Sequence, residues 1–163
     1  MRYSVLSNGM ALVTLVVMLT PSVAYGQGQI VVEQDVVYGQ TSGSALMADV
    51  AYPVSDDPVP AIIYVHGGRW RAGERTGRDR LDVYEWAGKG FFSMTIDYRL
   101  VPASPAPAPY QDLLCAIRWV HAHAEEYGID SDRVYLIGNS AGGHLVSLVA
   151  TLGDGPYEKV GGW

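Results

Sequence analysis

The sequence predicts an α/β fold: a mostly parallel β-sheet with an antiparallel hairpin on its N-terminal side. Three observations predict it. Apolar runs of strand length alternate with segments of helical pattern, the order that builds a parallel sheet covered on both faces. Ala61–Val65 is apolar at every position, as a strand buried on both sides must be. The run Arg133–Ile137 passes through Gly138-Asn139-Ser140-Ala141-Gly142-Gly143 into a second apolar segment, His144–Leu152. That reads as strand, sharp turn and helix, with a serine at the apex.

In chain order, the valine-rich run Ile30–Tyr38 and the run Ala45–Tyr52 read as strands. Gly39–Ser44 is the turn that lets them pair as a hairpin. Pro53–Pro60, with its prolines and aspartates, is a loop, and Ala61–Val65 is the third strand. The glycine- and arginine-rich stretch His66–Gly77 is a loop. Arg78–Gly88 carries a helical pattern ended by Gly88 and Gly90. Phe91–Tyr98 is the fourth strand, and the proline-rich Val101–Pro109 is irregular. Pro109 suits the first turn of a helix, where its missing N–H costs nothing. That helix runs to about Tyr127, with Leu113, Leu114, Ile117, Val120 and Ala124 on one face and Gly128 as its stop. Arg133–Ile137 is the fifth strand and His144–Leu152 the last helix.

The chain has 163 residues, enough for one domain at most. With 48% apolar and 17% charged residues it is globular rather than disordered. A net charge of −6 and the absence of any basic run argue against nucleic acid. Residues 1–24 read as a secretory signal peptide. Arg2 gives a positive start, Met10–Leu19 an apolar core, and Ser22-Val23-Ala24 small residues for cleavage. The apolar run is about half the ~20 residues of a membrane span, so a stable membrane anchor is not expected. The mature domain is then 25–163, secreted or periplasmic. The single Cys115 cannot form an internal disulfide and reads as a small buried apolar side chain.

The turn at Ser140 carries the chemistry. A Gly-x-Ser-x-Gly bend between strand and helix strains the apex residue and lifts its hydroxyl clear of the sheet. Gly138 and Gly142 leave no Cβ where strand and helix come close. A second motif, His66-Gly67-Gly68-Arg69-Trp70, follows the third strand. Its glycines let the backbone turn N–H groups into a cavity, where they can hold an oxyanion together with the N–H of Ala141.

These motifs resemble the esterase/lipase group of α/β-hydrolases, the hormone-sensitive-lipase-like and acetyl-esterase type. The resemblance rests on His66-Gly67-Gly68, on Asp97-Tyr98-Arg99-Leu100 with Pro102, and on Gly138–Gly143. It is extended by Asp112–Trp119 and by Tyr127-Gly128-Ile129-Asp130 before Asp132-Arg133-Val134. It spans Ala45–Leu152 and implies an α/β-hydrolase fold. It also implies Ser140 as nucleophile and Gly67, Gly68 and Ala141 as the oxyanion hole, with His66, Trp70 and Asn139 in support. Arg69 stands where the lipase-like branch often has a third glycine, and Pro102-Ala103 replaces its Pro-Glu pair. Both departures favour the secreted acetyl-esterase-like branch.

In this fold the order is Ser, then Asp or Glu, then His. After Ser140 the only histidine is His144, and the acids are Asp154 and Glu158. The chain therefore reads as the N-terminal portion of an esterase, cut after the nucleophile helix. His144 is expected to pack or cap the helix, His121 and His123 to be solvated or half-buried, and His66 to hydrogen-bond its loop into shape. Asp97 is expected to bind loop N–H groups and Asp112 to serve a helix dipole in a first turn. Asp154 is read as a turn residue. Arg69, Arg71, Arg75, Arg78 and Arg80 read as a solvated face. Trp70 either walls an acyl pocket or packs on the sheet. No metal set and no cofactor motif appears: His121-x-His123 lacks a third ligand, and the glycine loops lack a phosphate-loop lysine. The expected partner is a small-molecule ester, short-chain, with acetylated sugars as one case, attacked by Ser140 to give an acyl-enzyme. The alternatives are an inactive fragment, a peptidase of the same fold, or a binding protein on this scaffold. The sequence gives no oligomeric state.

Overall fold

A computed structural model describes residues 28–41, 43–77 and 80–162. The signal-peptide reading of 1–24 and the expected helix start at Arg78 lie outside them. The elements are β1 (Ile30–Thr41), β2 (Ser44–Pro53), β3 (Val59–Val65), α1 (Val83–Ala87), β4 (Phe92–Ile96), α2 (Ala108–Ala122), β5 (Ile129–Gly138) and α3 (Ala141–Leu152). They form one sheet in the order β1-β2-β4-β3-β5. β1, β2 and β4 pair antiparallel, while β4, β3 and β5 pair parallel. The expected hairpin is the β1–β2 pair, and the sheet as a whole is mixed.

The faces follow from side-chain alternation. Ala61, Ile63 and Val65 of β3 point with Met94 and Ile96 into the main core, under Leu113, Val120 and Trp119 of α2 and Leu145 and Val149 of α3. Ile62 and Tyr64 point to the other face, beneath Leu81 and the α1 residues Val83 and Trp86. β3 is thus covered on both sides, as its all-apolar sequence requires.

Several boundaries differ from the sequence expectation. The hairpin turn is tighter than Gly39–Ser44, because Gly39, Gln40 and Thr41 still pair with Leu46, Ala45 and Ser44; β4 covers only Phe92–Ile96 of the expected Phe91–Tyr98; and α3 starts at Ala141, directly after the bend, rather than at His144. Three further differences each have a local reason. The helix expected from Arg78 forms only over Val83–Ala87. Asp82 caps it, accepting from the Tyr84 and Glu85 amides at 3.0 and 3.1 Å, and so sets its start. α2 ends at Ala122 rather than near Tyr127. The His123 ring folds back on Trp119, with centroids 4.3 Å apart, and Tyr127 packs edge-on to Phe92. β5 starts at Ile129, because that residue already pairs with Val59 before the register shifts.

Asp112 corrects a further expectation. It is fully buried, and it binds Arg99 rather than serving a first turn. It accepts from the Arg99 amide at 2.8 Å, from Nε at 2.9 Å and from Nη2 at 2.7 Å. Burial pushes its carboxyl above the ordinary range, against the pull of Arg99. Cys115 is buried as expected, its thiol 3.5 Å from the Tyr38 carbonyl. Burial pushes that thiol up to about 11. At pH 8 it is therefore neutral in the folded chain and a poor nucleophile. Iodoacetamide should alkylate Cys115 of the folded chain about a hundredfold more slowly than the urea-unfolded chain, with reaction rising only as the pH nears the shifted value. Equal rates at pH 8 would contradict this burial.

Candidate active site

The parallel register sets the C-terminal ends of β3 and β5 side by side, with Val65 opposite Gly138. The Asn139 amide then donates to the Val65 carbonyl at 3.2 Å. From there the chain reverses into α3 within two residues. A Cβ on Gly138 would fall 2.5 Å from the Gly142 carbonyl carbon, and one on Gly142 would overlap the Val65 carbonyl oxygen. Both positions exclude every residue but glycine. Ser140 takes up the bend at φ 51°, ψ −112°, in a region that costs an L-residue on the order of 1–3 kcal/mol. It is exposed, and its hydroxyl makes no cap bond to α3.

The loop after β3 comes up against this bend. A Cβ on Gly67 would sit 2.9 Å from the Asn139 carbonyl oxygen and 3.3 Å from Ser140 Cβ. Gly68, at φ 117°, is followed by Arg69 at 58° and Trp70 at 62°. This reversal is closed by the Arg71 and Ala72 amides, which both donate to the Gly68 carbonyl at 3.0 Å. The amides of Gly67, Gly68 and Ala141 donate to no other described residue. The Gly67 backbone thus lies against Ser140, and Gly67, Gly68 and the exposed Ser140 line one cavity.

His66 is buried and stacks on Tyr98 with centroids 4.3 Å apart. Its Nδ1 lies 2.7 Å from the Gly67 carbonyl, and its own carbonyl accepts from the Tyr98 hydroxyl at 3.0 Å. It shapes the loop, as expected. Burial pushes the Tyr98 hydroxyl up to about 12, so it remains a donor at any ordinary pH. A cavity of about 370 Å³ is lined by His66, Gly67, Gly68, Asn139 and Ser140, with Glu74 and Arg80 at its side. A larger one of about 440 Å³ is apolar, lined by Trp70, His144, Leu145, Leu148, Tyr110 and Pro107 among others. Ser140 lines the smaller cavity, so the smaller is the one that can present a carbonyl to it. Trp70 meets His144 edge-on at 5.2 Å, which resolves both residues as packed walls of the apolar cavity. No described imidazole hydrogen-bonds the Ser140 hydroxyl.

Other candidates lie elsewhere. Trp119, beside His123, packs against Phe92, the first residue of β4. The end of α2 that carries His121 and His123 is therefore at the opposite end of the sheet from Ser140. Asp97 binds a loop amide as expected, accepting from the Arg75 N–H at 2.7 Å. Asp154 is exposed near the end of α3. Among the described residues no cluster of His, Cys, Asp or Glu could hold a metal ion. Arg75 departs from the solvated face expected of the arginines. It is mostly buried against Asp35, Asp49 and Asp97. Burial works to lower its pKa, but the hydrogen bonds to Asp49 and Asp97 outweigh that and raise it. Sequence reading missed this cluster because its carboxylates come from β1, β2 and the residue after β4, far apart in the chain, with no spacing that marks them.

The fold and the bend are those of an α/β-hydrolase, and known proteins bear this out. The BD-FAE family matches residues 48–159. Carboxylesterase NlhH of Mycobacterium tuberculosis is 37% identical over 100 residues, 61% of this chain and 31% of that protein. Carboxylic ester hydrolase LipN of the same species is 30% identical, over 91% of this chain and 46% of that protein. The butyrate-bound structure of esterase Est2 from Thermogutta terrifontis superposes with a TM-score of 0.64 at 29% identity, covering 76% of this chain and 44% of that one. The chain spans a third to a half of the length of these relatives. It belongs to the BD-FAE family of the esterase/lipase α/β-hydrolases, the hormone-sensitive-lipase-like group.

The crossing of α3 over β3 makes a stability prediction. Gly142→Ala should lower unfolding free energy by at least about 2 kcal/mol, since a methyl group cannot be placed without moving β3 or α3. Gly43→Ala, at φ 86° but with open space around it, should cost about 1 kcal/mol. Urea titration of both variants checks the difference, and equal costs would remove the steric argument.

Proposed function

We propose that this chain carries the nucleophile and oxyanion hole of a secreted serine esterase of short-chain esters. Ser140 attacks the ester carbonyl, and its oxygen forms the new bond to carbon as the carbonyl oxygen gains charge. The amides of Gly67, Gly68 and Ala141 receive that charge. The Ser140 hydroxyl proton passes to the base expected later in the chain and from it to the departing alcohol as the intermediate collapses, leaving an acyl-enzyme on Ser140 that water then cleaves to the free acid. Preorganised donors of this kind are worth about 3 kcal/mol of barrier each.

One observation carries the reading: an exposed serine at φ 51° beside three amides that donate to no described residue. The 370 Å³ cavity around Ser140 supports a small ester. The butyrate held by Est2 of Thermogutta terrifontis supports a short acyl group. Asn139 and His66 hold the two backbones in place, and Trp70 walls the neighbouring apolar space. The base and its orienting acid are expected after Ser140 in chain order. Export rests on the sequence pattern of residues 1–24.

The test is acylation rather than turnover. Without a base at its hydroxyl a serine of this kind loses on the order of 10⁶-fold in rate, so excess p-nitrophenyl butyrate should acylate the full chain only over hours. Intact-mass and peptide analysis should place one butyryl group on Ser140, and Ser140→Ala should abolish it. Acylation confined to lysines and the amino terminus, the same in both proteins, would overturn the assignment.

A further inference from the structure

The loop that carries the Gly67 and Gly68 amides is anchored at two ends, and only the near end belongs to the site described above. At the near end it leaves β3 beside Asn139. It then reverses through three consecutive residues at positive φ, Gly68, Arg69 and Trp70. It comes back with Gly73 at φ 104°, so close that a Cβ there would overlap the His66 ring. A backbone in these regions persists only where its surroundings over-determine it. The far end is where that determination is found.

Arg75 sits two residues beyond Gly73, and five hydrogen bonds fix it. Its amide donates to Asp97 Oδ1 at 2.7 Å, and its carbonyl accepts from Thr95 Oγ1 at 3.0 Å. Its guanidinium donates through Nε to Asp49 Oδ1 at 2.9 Å, through Nη1 to Asp97 Oδ2 at 2.5 Å, and through Nη2 to Asp35 Oδ1. The Arg75 side chain is 15% exposed and that of Asp49 6%, so this pair is well screened from water, while Asp97 is about a third exposed. The third comes from an irregularity in β1. The β1–β2 register shifts between Glu33 and Val36, and Asp35 within that shift stands at φ 58° with its amide on Asp49 Oδ1 at 3.0 Å. β1, β2 and the end of β4 each spend a carboxylate on one residue of a loop. The planar guanidinium meets all three with separate nitrogens, which an ammonium cannot do.

We propose that Arg75 is a positioning residue for the oxyanion hole, pinning the far end of the loop to three strands so that the Gly67 and Gly68 amides are held beside Ser140. The inference rests on the reading of Ser140 and these amides as the acyl-transfer site, and it deepens that reading by assigning the group that keeps the donors preorganised. Arg75 does not touch the substrate.

Two readouts on the full chain test it, using Arg75→Met, Arg75→Lys and Asp35→Asn. The first is hydrogen exchange followed by mass spectrometry. Arg75→Met should speed exchange across residues 66–77 by about tenfold or more while leaving α2 and α3 protected as in the parent. Arg75→Lys should fall between, and Asp35→Asn, which loosens only the exposed limb, should change least. The second is acylation of Ser140 by p-nitrophenyl butyrate. Arg75→Met should slow the maximal rate by about a hundredfold, with the half-saturating ester concentration unchanged, and Arg75→Lys should recover part of it. Unchanged exchange over 66–77 would overturn the proposal, and so would a loss of protection spread over the whole sheet. Faster loop exchange with undiminished acylation would also overturn it. If Arg75→Met does not fold, Arg75→Lys decides on the same criteria. If Ser140→Ala acylates like the parent, the esterase reading fails by itself. The exchange comparison then decides whether Arg75 pins the loop.

Discussion

The whole site depends on one close approach: the first turn of α3 lies directly on the last carbonyl of β3. The Val65 oxygen occupies the volume in which a side chain at position 142 would begin, and the Gly142 carbonyl occupies the equivalent volume at position 138. Parallel pairing of β3 with β5 sets the two strand ends level. That is why a loop leaving one strand and a helix leaving the other share the same few ångströms. Widening the crossing by the thickness of a methyl group would part Gly67 from Ser140, and the amides and the hydroxyl would cease to be neighbours.

The mixed sheet serves this arrangement. Its parallel half, β4-β3-β5, brings three C-terminal strand ends to one edge, where the loop after β3 and the bend into α3 emerge. Its antiparallel half, β1-β2, carries no part of the bend, yet it contributes Asp35 and Asp49 to the anchoring of the loop after β3. On the other side Arg99 and Asp112 tie the end of β4 to α2 beneath the proline-rich segment. In both clusters charged side chains fix backbone, through the Arg75 and Arg99 amides.

The parts legible in the sequence were those written in local pattern. Strand-length apolar runs, the all-apolar β3 and the glycine-flanked Ser140 each depend on near neighbours, and the structure places them as read. The parts that were not legible depend on partners far away in the chain. Asp112 looks like a first-turn carboxylate until Arg99 is brought beside it from the end of β4. Arg75 looks like one of several solvated arginines until three strands close around it. The helix expected from Arg78 shortens because a single Asp82 side chain captures two amides. His144, the only histidine after Ser140, is turned toward Trp70, a partner supplied by a different loop.

The dihedral angles of Ser140 carry a consequence of their own. Serine and threonine offer the same hydroxyl, and in water there is little to choose between them as nucleophiles. At φ 51° the branched Cβ of threonine would crowd the main chain on both sides, whereas serine has a single heavy atom to stow. The bend that exposes the oxygen therefore also dictates which alcohol can be exposed. The choice between the two side chains is made by backbone sterics before any substrate arrives.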